Sequence, residues 1–267
     1  MIKAGLAQMD ISWENVNDNK QRAEAFFEEA AGKNVDILVF PEMSLTGFSM
    51  DVEKITGDWE DQRDFFSQMS EKYSMAVAGG YAAKRESGKS IHANRPKFEN
   101  HLTIFDRGDR ILDYIKIHPF SYGREAEFFT GGDRIVTAGW KDTAVGGFVC
   151  YDLRFPEVFQ ISSVESEVIF VIANWPRSRI SHWDILLQAR AIENQCFVVG
   201  VNRTGSGGGL GYNGHSAVYS PRGDRLTELS EKELLITAAL DEDELREYRR
   251  KFPVKRDRRI ELYKHFL

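Results

Sequence analysis

The sequence predicts an α/β protein in which helices cover mixed β-sheets and two sheets pack face to face. Segments with helical spacing alternate with short apolar segments in both halves of the chain, and hairpin-like pairs add antiparallel strands. A chain of 267 residues, 42% of them hydrophobic, can bury one large core. Because no stretch has the composition of a linker, we expect a single domain over residues 1–267.

The first half of the chain begins with alternating strands and helices. Apolar residues recur every three or four positions in each predicted helix, and Gly32 supplies a stop for the first. A turn containing Gly108 and Asp109 joins the last two strands. The predicted elements are strand 2–8, a helix with Ala23, Phe26, Phe27 and Ala30, strand 35–40, a helix with Phe65, Phe66, Met69 and Tyr73, strand 75–83, and strands 97–106 and 110–117.

The second half of the chain shows the same alternation of strands and helices, without a detectable sequence repeat. Pro156 and Glu157 are residue types favoured in the first turn of a helix, so Cys150 is expected between a strand and a helix. The predicted elements are strand 144–149, a helix from 156, strand 167–173, a helix with Ile185, Ala189 and Ile192, strand 196–201, and antiparallel strands near 214–220 and 233–240.

Charge and cysteine usage restrict the function classes. The net charge of −6 opposes a nucleic-acid binder, which normally concentrates positive charge. The sequence has neither a signal-like start nor an apolar run of about 20 residues, so we expect no membrane partner and a cytoplasmic location. Cys150 and Cys196 form no C-x-x-C pair, which favours reduced thiols and permits thiolate chemistry.

Three polar residues lie at or just after the ends of apolar runs: Glu42, Lys116 and Cys150. Active sites of α/β proteins gather beyond the carboxyl ends of strands, so these side chains can converge. A thiolate is a good nucleophile, a carboxylate can act as its base, and an ammonium group can stabilise an oxyanion. Taken separately, Cys150 is typical of a buried core thiol, and Glu42 and Lys116 are typical of solvated charges beside a strand, so position alone is only suggestive.

The segments around these residues carry a resemblance to a known family. "FPEMSLTGF" (40–48), "IKIHPF" (115–120) and "CYDLRFPE" (150–157), in this order, resemble the signature segments of the nitrilase superfamily of carbon–nitrogen hydrolases. The chain looks most like the ω-amidase branch, whose members hydrolyse the terminal amide of short dicarboxylic monoamides such as 2-oxoglutaramate. Later segments that also resemble the family are 173–183, 188–195 and 211–224.

The resemblance implies a four-layer α-β-β-α sandwich with two mixed sheets, and a catalytic triad of Glu42, Lys116 and Cys150. The implied reaction passes through a Cys150 thioester and needs no metal or organic cofactor. The backbone N–H of Tyr151 is expected to help Lys116 stabilise the oxyanion.

Many members of the family have a second active-site glutamate, for which Glu125 and Glu127 are the candidates here. Spacing to Phe129 and to the Gly132-Asp133 pair favours Glu125. The chain departs from the usual family pattern here, because Gly131-Gly132 stand where Pro-Gly is common.

A substrate with a second carboxylate requires a cationic or strongly hydrogen-bonding partner in the pocket. Arg154 is the candidate, because its planar guanidinium group can hold a carboxylate with two parallel hydrogen bonds. The alternative is an ion pair of Arg154 with Asp152 or Glu157 that shapes the turn. Phe120 and Trp175 are expected to form apolar walls of the pocket.

Other features have alternative interpretations. His118 could serve a Cys-His hydrolase, whereas Cys196 opens an apolar run and is predicted to be a core residue. The Gly-rich segment 204–211 lacks the ending of a phosphate loop and is predicted to be a mobile surface loop, or a lid. The basic stretch 246–259, within a C-terminal tail at 241–267, is predicted to be solvated or to contact a second subunit of a homodimer.

The resemblance leaves alternative functions open. A nitrilase or an N-carbamoyl amidohydrolase of the same superfamily is the nearest alternative to an ω-amidase. A non-catalytic scaffold that keeps the fold and binds a partner is the alternative from another class.

Overall fold

A computed structural model of the chain describes residues 1–85 and 98–265. Its first half contains the strands and helices expected there, with ends that differ from the predicted ones by a few residues. Lys97, the predicted first residue of a strand, lies outside the described part. The elements are β1 (Ile2–Gln8), α1 (Val16–Gly32), β2 (Ile37–Val39), α2 (Val52–Ile55), α3 (Trp59–Lys72), β3 (Ala76–Lys84), β4 (Phe98–Asp106), β5 (Asp109–Ile115) and α4 (Glu125–Phe128).

The second half contains further elements and several short ones that the sequence did not predict. Cys150–Arg154 is a 3₁₀ turn between a strand and a helix, which agrees with the position expected for Cys150. The elements are β6 (Thr137–Trp140), β7 (Thr143–Val149), α5 (Pro156–Ser162), β8 (Val168–Ala173), α6 (Ile180–Asn194), β9 (Phe197–Asn202), β10 (Thr204–Gly207), β11 (Leu210–Asn213), β12 (Ala217–Tyr219), β13 (Leu234–Leu240), α7 (Glu242–Lys251) and α8 (Ile260–Tyr263).

The strands form two mixed sheets and one small hairpin. The first sheet has the order β13-β1-β2-β3-β4-β5, in which β1, β2 and β3 are parallel and the other neighbours are antiparallel. The second sheet has the order β12-β9-β8-β7-β6, with β7, β8 and β9 parallel. The prediction of two mixed sheets is therefore confirmed.

The sheets pack face to face because each has an apolar inner surface. Residues of β1, β2, β4 and β5 share one buried cluster with residues of β7, β8 and β9. On the outer face of the first sheet, α1 and α3 bury the phenylalanines that mark their apolar sides, Phe26, Phe27, Phe65 and Phe66. Helices α5 and α6 cover the other sheet with Phe159, Trp183 and Leu187. The result is the α-β-β-α sandwich that the family resemblance implied.

Helix α6 forms where it was predicted, but with a different buried face. Ile185 and Ile192, two of the residues that marked it in the sequence, are 64% and 48% exposed. Its buried apolar residues are Trp183, Leu187 and Ala191. The helix therefore keeps apolar side chains on its outer side as well.

Segment 204–211 lies at the surface as predicted, but most of it belongs to the paired strands of the β10–β11 hairpin rather than to an irregular loop. Thr204 pairs with Asn213 and Gly205 pairs with Tyr212, and the positive φ angles of Gly208 and Gly209 make the turn. The hairpin brings residues of β11 towards the ends of the large sheets.

The C-terminal basic stretch packs on its own chain. The Arg249 guanidinium donates to the carbonyls of Gln195 and Ser166, at 2.7 and 2.8 Å. Arg258 donates to the Gln160 side chain at 2.8 Å. Cations near the carboxyl ends of helices are favourable because the unpaired carbonyls there carry partial negative charge.

Candidate active site

The structure brings Glu42, Lys116 and Cys150 together at the ends of three strands. Lys116 directly follows β5, Cys150 directly follows β7, and Glu42 lies three residues beyond β2. Gly80 on β3 makes room for the Glu42 segment, because a Cβ atom there would lie 2.8 Å from the carbonyl oxygen of Pro41. The backbone of this segment therefore lies directly on the neighbouring strand.

Lys116 lies at the centre of a buried ionic cluster. Its ammonium nitrogen is 3.0 Å from Oε1 of Glu42, and 3.0 and 2.8 Å from the two carboxylate oxygens of Glu125. The Lys116 side chain is 1% exposed and both glutamates are fully buried. Two carboxylates thus surround one buried ammonium group, which fixes its position.

Two asparagines fix the orientation of the Glu42 carboxylate. The side-chain amide of Asn100 donates to Oε1 of Glu42 at 2.8 Å and to Oε1 of Glu125 at 3.0 Å. The backbone N–H of Asn174 donates to Oε2 of Glu42 at 2.9 Å, and its side chain donates to the Glu42 carbonyl at 2.6 Å. Glu42 is therefore held from both β4 and the end of β8.

The structure places Glu125, not Glu127, against Lys116. Glu125 opens the short helix α4 and also accepts a hydrogen bond of 2.6 Å from the backbone N–H of Phe120. Glu127 is 53% exposed and pairs with Arg124 at 2.7 Å. The two glutamates differ in this way because one α-helical turn points only one of them inward.

Cys150 has a left-handed backbone with a φ angle of 48°, unusual for a residue with a side chain. The following turn is anchored by the fully buried Asp152. Its carboxylate accepts from the hydroxyl of Tyr114 at 2.8 Å and from the backbone N–H groups of His118 and Val149 at 3.0 and 3.1 Å. These contacts tie the Cys150 turn to the segment that carries Lys116.

The charges in the cluster determine its protonation. Burial, and after it the negative charge of Glu42, raises the pKa of the Cys150 thiol well above its ordinary value, with Lys116 opposing. Burial also raises the pKa of Glu125, against the effect of Lys116. For Lys116, burial favours the neutral form, but Glu125 and Glu42 outweigh it and raise the pKa. Burial and the carboxylates therefore favour the protonated thiol over the thiolate in the free protein.

Cys150 lines a small pocket of about 50 Å³ that is partly open to solvent. The predicted walls Phe120 and Trp175 both line it. The ring of Tyr151 also lines it and packs against Phe120, with ring centroids 4.9 Å apart. Leu210 and Tyr212 of the β10–β11 hairpin, which the sequence did not assign to a site, complete the rim and wall.

Two arginines line this pocket without a carboxylate partner among the described residues. The guanidinium of Arg154 lies 4.7 Å from the ring centroid of Trp175 and 3.3 Å from Nδ1 of His182. Arg179, which the sequence did not indicate, lies 5.6 Å from the ring centroid of Phe120. Burial, and the positive charge of Arg179, lower the pKa of Arg154.

The contacts of Arg154 and His118 do not match the alternative roles considered for them. Arg154 makes no ion pair with Asp152 or Glu157. His118 binds Asp152 through Nδ1 at 2.7 Å and stacks on Phe155, and it does not line the Cys150 pocket. These contacts of His118 stabilise the turn that begins at Cys150.

The remaining chemical expectations concern Cys196, metals and membranes. Cys196 is fully buried in the core, and burial raises its pKa to about 12. Within residues 1–85 and 98–265, no group of three His, Cys, Asp or Glu side chains is arranged to hold a metal ion. No helix in the same part of the chain has the length and apolar composition needed to span a membrane.

Comparison with known proteins connects this architecture to a family. A fold of two mixed sheets between helices, with Glu, Lys and Cys at neighbouring strand ends, has the organisation implied by the motifs. The carbon–nitrogen hydrolase family model matches residues 3–250. The chain therefore belongs to the carbon–nitrogen hydrolase family, and the resemblance to the nitrilase superfamily is confirmed.

Three similar proteins cover nearly the whole chain. The "hydrolase in agr operon" of Staphylococcus aureus is 33% identical over 98% of this chain and 100% of its own. The 2-oxoglutaramate amidase of Bacillus subtilis is 33% identical over 96% of this chain and 97% of its own. XC1258 from Xanthomonas campestris, a CN-hydrolase superfamily protein whose structure has an arsenic adduct in the active site, is 29% identical, with a TM-score of 0.86 over 96% of this chain and 97% of its own.

Proposed function

We propose that this protein is an amidase that hydrolyses the terminal amide of short dicarboxylic monoamides, such as 2-oxoglutaramate, to the carboxylate and ammonia. The observation that carries the proposal is one pocket in which Cys150 adjoins a buried Glu42–Lys116 pair, while Arg154 and Arg179 line the same pocket and have no carboxylate partner in the described part of the chain. Similarity to a 2-oxoglutaramate amidase supports the same substrate class.

In the first half of the proposed reaction, the Glu42 carboxylate takes the thiol proton as Sγ of Cys150 bonds to the amide carbon. The carbonyl oxygen becomes an oxyanion, which Lys116 and the backbone N–H of Tyr151 stabilise. Protonated Glu42 gives its proton to the amide nitrogen, the carbon–nitrogen bond breaks, and ammonia leaves. The product of this half is a thioester on Cys150.

In the second half, Glu42 takes a proton from water as the water oxygen attacks the thioester carbon. The carbon–sulfur bond breaks, the acid product leaves, and Sγ regains its proton from Glu42. The contacts of Glu42 with Asn100, Asn174 and Lys116 keep one carboxylate in place for both halves. Glu125 is proposed to orient Lys116 rather than to touch the substrate.

An ammonia-release panel tests the proposed activity. Wild type and Cys150→Ala are assayed with 2-oxoglutaramate, a simple aliphatic amide, a nitrile and an N-carbamoyl compound. We expect ammonia from wild type with the dicarboxylic monoamide and none from the variant. Preference for the nitrile or the carbamoyl compound would assign the protein to one of those activities instead, and no release from any substrate would favour the scaffold function.

Arg154 is proposed to hold the substrate carboxylate. Lysine cannot form the two parallel hydrogen bonds of a guanidinium group, so Arg154→Lys should raise KM for 2-oxoglutaramate by about tenfold or more, as expected from the worth of a hydrogen bond to a charged group. KM for an uncharged amide should change little. The exposed Arg134→Lys is the matched control, and equal losses on both substrates would assign Arg154 to structure.

We also propose that residues 1–267 form one domain whose tail, 241–267, contacts a second subunit of a homodimer. The tail and α5 border a cavity of about 680 Å³ whose lining includes Ile161, Ile260 and Tyr263, which are 59%, 43% and 42% exposed. Light scattering should give a dimer for wild type and a monomer for Ile161→Glu. A monomeric wild type would contradict the proposal.

A further inference from the structure

Tyr212 is a buried tyrosine whose hydroxyl has no hydrogen-bond partner among the described residues. It is 3% exposed. The other tyrosines of comparable burial have partners: the Tyr81 hydroxyl lies 3.0 Å from Oγ1 of Thr103, Tyr114 donates to Asp152 at 2.8 Å, and Tyr219 is bonded to Arg225. The Tyr212 hydroxyl is not fully enclosed by protein atoms, so water or a ligand can reach it. Its hydrogen-bond donor is therefore available to a ligand.

The position of Tyr212 indicates which ligand can reach the hydroxyl, because Tyr212 lines the same pocket as Cys150. Burial raises the pKa of Tyr212 to about 12, with Arg203 opposing, and the nearby acidic groups Cys150 and Glu42 add to the rise. At neutral pH the hydroxyl is therefore a neutral donor beside the reacting groups. The missing acceptor is expected to come from whatever enters the pocket.

Arg203 and the hairpin hold Tyr212 in place. The guanidinium of the fully buried Arg203 lies 4.5 Å from the Tyr212 ring centroid. It donates to the carbonyls of Ile11, Thr204 and Ser206, at 2.7, 3.0 and 2.9 Å. Tyr212 also belongs to the paired strands of β10 and β11. Because Tyr212 is held in one position, its hydroxyl loses little conformational entropy when it binds a ligand, as in a preorganised site.

We propose that the Tyr212 hydroxyl donates a hydrogen bond to the carbonyl oxygen of the substrate as that oxygen becomes an oxyanion, so that Tyr212 is a further catalytic residue beside Lys116. This inference rests on the proposed amidase function. It assigns the Gly-rich hairpin a chemical role, since β11 delivers the donor to the pocket. No bond is made or broken at Tyr212, and its proton stays on the phenol oxygen.

The test is Tyr212→Phe, with Tyr81→Phe as the matched control for a buried hydroxyl away from the pocket. Removing one oxyanion donor typically costs on the order of 10²-fold in kcat or more, and we expect a kcat loss of this order with both charged and uncharged amides. Tyr81→Phe should leave kcat unchanged. Loss in KM alone, or loss confined to charged amides, would overturn the oxyanion assignment.

Thermal unfolding supplies a readout independent of turnover. Because the Tyr212 hydroxyl has no hydrogen-bond partner within residues 1–85 and 98–265, Tyr212→Phe should not lower Tm, whereas Tyr81→Phe removes a hydrogen bond and should lower it. A Tm loss in Tyr212→Phe at least as large as that in Tyr81→Phe would assign the hydroxyl to structure and overturn the proposal. An active wild type with an equally active Tyr212→Phe would overturn this inference alone, and a wild type that hydrolyses no amide would overturn the proposed function together with it.

Discussion

Neighbouring residues of β4, Asn100 and His101, belong to two buried polar clusters on opposite faces of the first sheet, because side chains alternate along a strand. Asn100 joins the carboxylates of Glu42 and Glu125 beside the pocket. On the other face, Nδ1 of His101 lies 2.8 Å from Asp113, and the His101 ring stacks on Tyr81 with centroids 5.3 Å apart. Burial and paired charge are thus found on both faces.

The difference is that the inner cluster adjoins the Cys150 thiol and a pocket, whereas the charged groups of the outer cluster pair with one another. Asp113 of the outer cluster accepts from Thr103 at 2.9 Å and pairs with Arg110 at 3.2 Å as well as with His101. Perturbed pKa values occur in both clusters, so such values alone do not identify an active site. Changes in the inner cluster should therefore alter turnover, and changes in the outer one should alter stability.

The largest effect is expected for Cys150→Ala. Loss of the sulfur removes the atom proposed to form the thioester, so turnover should become undetectable, while the smaller side chain at a half-buried position leaves Tm within a few degrees. Mass spectrometry of wild type quenched with substrate should show an acyl group on Cys150. An adduct on Cys196 would contradict the assignment of turnover to the inner cluster, because the Cys196 thiol lies in the core.

The next effect is expected for Lys116→Ala. If Lys116 stabilises the oxyanion, kcat should fall on the order of 10²–10³-fold. Stability should fall too, because Glu42 and Glu125 lose their common cation. Steady-state kinetics distinguish oxyanion stabilisation from substrate binding, because a change in KM with a normal kcat would make Lys116 a binding residue.

A smaller effect is expected for Glu125→Gln. A glutamine oxygen can still accept from Lys116 or from the Phe120 backbone, but not with the charge of Glu125. If Glu125 only orients Lys116, kcat should fall about tenfold, the equivalent of one ordinary hydrogen bond. The exposed Glu127→Gln is the matched control and should be neutral. A loss as large as that of Lys116→Ala would give Glu125 a direct part in proton transfer.

The sequence predicted the parts of this site that follow apolar runs or lie in recognisable motifs. Glu42, Lys116 and Cys150 are at the ends of β2, β5 and β7, where strand position itself points to a pocket. Asn174 directly follows β8 and carries the same signal, so it was open to prediction. Asn100 lies inside β4, where nothing local separates a ligand of two carboxylates from an ordinary strand residue.

The mouth of the pocket was less predictable for a physical reason. Arg179 and Tyr212 reach it only through the packing of a 3₁₀ turn and a hairpin against the sheets, and such contacts leave no periodic pattern in the sequence. Glycines at 207–209 suggested a loop, although strand pairing on both sides tightened them into a turn. The buried side of α6 was also hard to predict, because apolar residues occur on more than one side of this helix.

The smallest effect is expected in the outer cluster, on stability rather than on turnover. Burial opposes the charge on His101, but its hydrogen bond to Asp113 and the nearby carboxylate of Glu99, 3.6 Å from Nε2, outweigh burial and raise its pKa. A raised pKa means that the charged ring adds stability below the unfolded value of about 6.5, and that this contribution is lost as the pH rises through the folded value. His101→Gln should therefore lose on the order of 1–3 kcal/mol at pH 5.5, the worth of hydrogen bonds to charged groups, and less at pH 9. Denaturant unfolding at both pH values measures this, with the exposed His265→Gln as control. An equal loss at both pH values, or a fall in kcat at pH 7, would mean that the two faces of the sheet are not separated as described.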